Sequence, residues 1–242
     1  MNILEHLAQR PIFPLQIGGI DLTITNGVIT VWLAAFLVFI FFAIISRNLK
    51  MIPGKWQSLA EVIVLFLSSE ITGQIPRDRD KWLPFIVAIF FFILFNNLLG
   101  LIPGMSSATG NINTTAALAI TVFAVVQAAG IYHHGLLRYL NSFLPPGLPL
   151  PIAVLMIPIE LISQLARPFS LAIRLFANMF AGHAVMLVLI SLIFVFKSYI
   201  ILPLPVLSNT MIMAFEIFVA LIQAFIFTYL SGLYIATALE GH

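Results

Sequence analysis

Eighteen residues, Ala166–His183 (ARPFSLAIRLFANMFAGH), carry two arginines, Arg167 and Arg174, inside an apolar run that continues to Phe196. An arginine at mid-bilayer costs roughly 2.5–3.5 kcal/mol on translocon scales. A membrane helix keeps one where it is paired, solvated in a cavity, or turned toward a partner's charge. At about 100° per residue, Glu160, Ser163, Arg167, Ser170, Arg174 and Asn178 fall within about 40° of Arg174 on one face. Gln164 adds a further amide in the same stretch. Two helices can be glued by a polar seam of this kind, but a seam does not need two arginines. His183 lies nine residues on, on the opposite face and about 13 Å along the axis.

A second set follows in the last apolar run. Asn209, Glu216 and Gln223 recur every seven residues, so they share a face with a drift of about 20° per step. Glu216 is the only acidic residue in that run. A histidine and a glutamate on neighbouring helices can pass a proton between them, since both titrate within reach of neutral pH once buried. The other reading of His183 and Glu216 is a structural pair. No phosphate loop, HExxH or nucleophile elbow is present, and with no cysteine there is no disulfide or thiolate metal site. His133 and His134 read as a surface loop beside Arg138.

The elements that must position these groups are membrane helices. Apolar residues make up 61% of the 242-residue chain and charged residues 8%, against about 25% charged in soluble domains. Mean hydropathy is +1.10. The net charge of +2 says little about partners, and nothing indicates a nucleic acid. The N-terminus, MNILEHLAQRPIF, lacks the basic-then-apolar order of a signal peptide. Residues 1–27 form a turn-rich surface arm, and 28–242 a single polytopic membrane domain.

Val28–Ile45 is long enough to cross the core. Trp56–Ile75 places Lys55, Ser58, Glu61, Ser68 and Thr72 opposite Val62, Ile63, Leu65, Phe66 and Leu67, which predicts an amphipathic interfacial helix. The run Arg77–Lys81 reads as a loop. Trp82–Leu101, closed by Pro103-Gly104, is a second span and carries Asn96 and Asn97. Asn111 offers an N-cap to a third span, Ala116–Ile131. Pro151–Phe196 as one helix would measure about 65 Å, so it is strongly tilted or folds back at Pro168. Lys197–Pro205 reads as a turn and Val206–Thr237 as the last helix. Seven of the eleven Lys+Arg (Arg47, Lys50, Lys55, Arg77, Arg79, Lys81, Arg138) fall in loops that a single tilted helix leaves on one, cytoplasmic, side. A hairpin would break that rule, so the single helix is preferred. The fold class is an all-α membrane protein with about five transmembrane helices plus one amphipathic helix.

SLAIRLFANMFAGH, Glu216 and Gln223 on the following helix, and FNNLLGLIPG earlier closely resemble subunit a of the F-type ATP synthase, the membrane stator that carries ions past the rotating c-ring. The likeness runs from the first span to the C-terminus. It implies that Arg174 faces the c-ring carboxylate, with Asn178 and Gln223 flanking it. His183 and Glu216 then match the ionisable positions of the outer half-channel. Glu160 with Ser163 matches the cytoplasmic half-channel, and Asn97 an outer-channel polar position. Ser170 belongs with the same path. Many bacterial members place Glu before His; this chain has the exchanged order, as mitochondrial members do. The resemblance also implies two long, strongly tilted C-terminal helices, no cofactor and no catalysis by the chain alone. Its implied partners are the c-ring, the peripheral-stalk b subunits and the lipid bilayer. The polar N-terminal arm and the lack of a transit sequence suit a bacterial inner membrane, a mitochondrial one being the lesser alternative. The reading from another class is a stand-alone ion-coupled secondary transporter. Such proteins are built from two related halves, and no internal repeat is visible here.

Overall fold

The computed structural model describes residues 11–14, 16, 17, 20, 21, 23–47, 49–75, 79–102, 105–136, 139, 150–196 and 203–240. Among these are six α-helices: α1 Asn26–Arg47, α2 Lys55–Glu70, α3 Arg79–Gly100, α4 Ile112–His134, α5 Leu150–Phe196 and α6 Pro203–Glu240. All but α2 are long and apolar enough to cross a membrane. The protein is an all-α, multi-pass membrane protein. At 16 residues α2 rises only about 24 Å, short of the ~30 Å core. Its Trp56, Leu59, Val62 and Leu65 are exposed while Ala60 and Leu67 are buried.

Helix ends explain where the sequence reading slipped. The charged run expected as a loop is helical from Arg79 on, with Asp80 in the first turn, where a carboxylate favours the helix dipole. Arg77 and Asp78 lie outside the described residues, as do Pro103, Gly104 and Arg138. Asn111 caps α4 as expected, its Oδ1 accepting from the Asn113 N–H at 2.8 Å. His133 and His134 are not in a loop. They close the last turn of α4 and are half-buried; histidines suit the negative end of a helix. Gly135, at φ 78°, ends the helix in the left-handed region that glycine takes most readily. α5 is one unbroken helix of 47 residues through Pro158 and Pro168, about 70 Å long, so the fold-back at Pro168 does not occur. α6 starts at Pro203, in the part expected as a turn; proline fits a first helical position because its missing N–H would have no partner there.

The helices belong to two compact units that interleave along the chain. The first comprises 1–44, 91–114 and 175–224, the second 45–90, 115–174 and 225–242. In the first unit two short antiparallel strand pairs precede α1, which the sequence reading did not foresee: Pro11–Phe13 with Ile24–Thr25, and Gln16–Ile17 with Ile20–Asp21. Phe41 and Phe42 of α1 pack against Phe91 of α3, ring centroids 5.3 and 5.1 Å apart, the first pair tilted and the second edge-to-face. The Thr30 hydroxyl donates to the Ser106 carbonyl at 3.0 Å. In the second unit a Cβ at Gly232 of α6 would run into Ile71, so the missing side chain is what lets α6 approach the segment after α2. Gln74 Nε2 donates to the Tyr229 hydroxyl at 3.1 Å, and His134 Nε2 lies 3.0 Å from the Leu239 carbonyl oxygen.

Candidate functional site

Each unit holds one group of polar side chains. In the first, α3, α5 and α6 contribute. Asn178 Nδ2 donates to Gln223 Oε1 at 2.7 Å. Asn97 is fully buried; its Oδ1 accepts from the Thr109 hydroxyl at 2.8 Å, and its amide points to the Ala220 carbonyl at 3.4 Å. His183 has a carbonyl at each ring nitrogen: Met179 O at 2.7 Å from Nδ1 and Gly100 O at 2.8 Å from Nε2.

Glu216 is buried, and among the described residues neither of its carboxyl oxygens has a hydrogen-bond partner. Native proteins leave few buried polar groups unsatisfied, and each such group calls for an explanation. The carboxyl packs against the backbone at Gly182, where any Cβ would collide with it. Glu216 thus sits against the residue next to His183, without a hydrogen bond between the two side chains. Gln223 Nε2 and Asn209 Oδ1 are likewise buried without a partner among the described residues. Three of these unsatisfied groups are the heptad residues of α6.

In the second unit the groups lie on α5, with α4 and α6 beside it. Glu160 Oε1 accepts from Gln164 Nε2 at 3.0 Å, one helical turn on. Arg174 is half-buried, and among the described residues its one hydrogen-bond contact is the Ser170 hydroxyl at 3.5 Å, at the limit of a hydrogen bond. Among the described residues it has no carboxylate partner. Ser163 and Ser170 are exposed. The Arg167 guanidinium sits over the Tyr234 ring, 5.2 Å from its centre, at cation–π distance. Tyr139 is buried, and its hydroxyl donates to Gln127 Oε1 at 2.7 Å. Burial pushes the Tyr139 phenol above its ordinary range; the charge of Arg167 pulls it back and that of Glu160 raises it further.

The sequence reading missed Tyr139, Tyr234, Thr109 and Gly182. Only Gly182 left a signal, as a small residue beside an ionisable one.

Comparison with known proteins supplies the rest. Residues 28–236 match the family described as ATP synthase A chain. The chain belongs to that family. The ATP synthase subunit a of Paramagnetospirillum magneticum is 37% identical, the alignment covering 100% of this chain and 99% of the relative. Its counterpart from Magnetococcus marinus is 40% identical over 100% and 94%. That from Chloroherpeton thalassium is 43% identical over 94% and 71%. Membership sets aside the stand-alone transporter. For a member of this family, the polar groups of both units lie on helices that can span the membrane.

Proposed function

We propose that the chain is the proton-translocating stator subunit of a rotary F-type ATP synthase, and that it does no chemistry on ATP itself. One observation carries this reading. Arg174 stands in a helix long enough to span the membrane, and among the described residues it has a single weak hydroxyl contact and no counter-charge. A guanidinium does not lose its proton in a protein. A carboxylate of the c-ring is the counter-charge that this reading gives it.

In the mechanism a proton enters from outside by Asn97, Glu216 and His183, with Asn178 and Gln223 flanking the route. It neutralises a c-ring carboxylate, which can then turn into lipid. After nearly a full rotation the carboxyl meets the cytoplasmic half-channel at Glu160, Ser163 and Ser170 and releases the proton. Arg174 holds the passing carboxylate ionised and blocks a direct leak. Each charge crossing is worth about 2.3 kcal/mol per 100 mV. α5 and α6, strongly tilted, wrap the ring. Residues 28–242 act as one membrane domain behind the arm 1–27. The complex, with peripheral-stalk b subunits, sits in a bacterial inner membrane.

The test is ATP-driven acidification of inverted vesicles carrying the assembled complex, with a protonophore and a sodium ionophore as controls. Glu216→Gln is expected to abolish acidification, and Arg174→Ala to abolish coupling and admit a passive leak. Normal ATP-driven pumping by the Arg174→Ala complex would overturn the reading.

A further inference from the structure

The mechanism above uses one of the two arginines of α5. The other is placed with as much care. Arg167 lines a crevice in the second unit together with Val122, Phe123 and Val126 of α4, Gln164 of α5 and Tyr234 of α6. The crevice holds about 10 Å³, the room of a single water. Arg167 is half-buried there, and among the described residues it has no carboxylate partner. Its charge rests on the face of the Tyr234 ring. A cation held at a water-sized, mostly apolar opening raises the energy of any second cation entering it, because interaction between charges is strong where the surroundings are dry. Fixed arginines act as such barriers in narrow pores. The charge also reaches the neighbouring groups, since the buried Tyr139 phenol feels both Arg167 and Glu160.

We propose that Arg167, positioned by the Tyr234 ring, is a second fixed cation that keeps protonated water out of the crevice between α4, α5 and α6, so that protons leave by Glu160, two turns back along the same face of α5, and not through the crevice. This rests on the proton-translocating reading above. Arg174 then guards the passage between half-channels, and Arg167 guards a side leak from the inner one. Tyr234 is a positioning residue whose contribution is its ring face rather than its hydroxyl.

The experiment measures passive proton conductance of the assembled membrane sector in vesicles stripped of the catalytic head, driven by a potassium diffusion potential. Arg167→Gln removes the charge but keeps hydrogen-bonding atoms, and Tyr234→Leu removes the ring face. Each is expected to raise conductance at least threefold. Arg167→Lys and Tyr234→Phe keep the cation–π pair and are expected to stay at the native level. A merely structural role would lower assembly and conductance together and would not be rescued by the conservative pair. Native-level or reduced conductance in Arg167→Gln and Tyr234→Leu, with the complex assembled, overturns the proposal. Arg174→Ala in the same vesicles separates the two readings: if the native sector conducts no protons and Arg174→Ala changes nothing, the proton-translocating reading fails. If Arg174→Ala leaks and the Arg167 variants do not, only the second-cation proposal fails.

Discussion

His183 on α5 is tied to Gly100, the last residue of α3, through its ring: Nε2 lies 2.8 Å from the Gly100 carbonyl oxygen, while Nδ1 lies 2.7 Å from that of Met179. A carbonyl only accepts, so each contact needs an N–H. A neutral imidazole has one to give and the charged ring has two. A proton arriving at or leaving this ring therefore makes or breaks a hydrogen bond to the backbone. The end of α3 and the middle of α5 feel the protonation state of His183 directly.

Gly100 is the point at which this link can be tested without touching the ring. A Cβ there would meet Ser107 Oγ at 2.8 Å and Met179 Cε at 3.3 Å. Gly100→Ala is expected to push the carbonyl off Nε2 and to lower ATP-driven proton pumping several-fold. Adding Ser107→Gly frees the space and should recover much of the rate, although it also removes the Ser107 bond to the Gly110 N–H. Equal pumping by the native and Gly100→Ala complexes would show that the His183–Gly100 contact has no part in conduction.

Gly182 makes a sharper case. Its missing side chain is the space that the Glu216 carboxyl occupies. Gly182→Ala is expected to displace Glu216 and cut pumping at least tenfold, with assembly retained because the helix itself gains from alanine. Shortening the acid in the same chain, Glu216→Asp, withdraws the carboxyl by one methylene and should return part of the activity. If Gly182→Ala pumps at the native rate, Glu216 does not need this seat.

Thr109 holds Asn97 in place. Thr109→Val keeps the volume and removes the hydroxyl, leaving the fully buried Asn97 Oδ1 without its donor. An unsatisfied buried acceptor costs about 1–3 kcal/mol. The purified complex is expected to show a lower thermal midpoint, and Thr109→Ser, which keeps the hydroxyl, a smaller loss. An unchanged midpoint in Thr109→Val would mean that water replaces the hydroxyl.

How much of this could be read beforehand depended on the energetics of each feature. Arg174, Glu216 and Asn97 stand out in an apolar sequence because each is expensive there, so a single polar letter is informative. The spans were equally legible, since length and apolarity are what the bilayer demands. The partners were not. Nothing about Tyr234 marks it as the seat of Arg167, because an aromatic residue in a membrane helix is ordinary. Gly100 and Gly182 matter for what is missing from them, which becomes visible only when the opposing helix is in place. The strand pairs before α1 are two or three residues long, too short for a period of two to register. The ends of α3 and α4 were misjudged because Asp80 and His133–His134 are charged or titratable groups that suit helix termini, and a reading that treats charge as loop excludes them.

Tyr139 gives a prediction with a defined pH window. Its phenol is buried, donates to Gln127 at 2.7 Å and is raised above the usual range chiefly by that burial. An unfolded tyrosine titrates near 10. Below that pH both states hold the proton and the contribution is intact. Above it the unfolded chain releases its proton while the folded chain keeps it, so stability falls as pH rises through the folded value. Tyr139→Phe removes this loss, at the expense of about 1 kcal/mol at neutral pH for the missing bond to Gln127. Thermal midpoints of the native and Tyr139→Phe complexes should therefore stay parallel up to about pH 10 and converge as pH rises above it toward the folded value. Parallel curves across that window would show that the Tyr139 phenol titrates alike in the folded and unfolded chain.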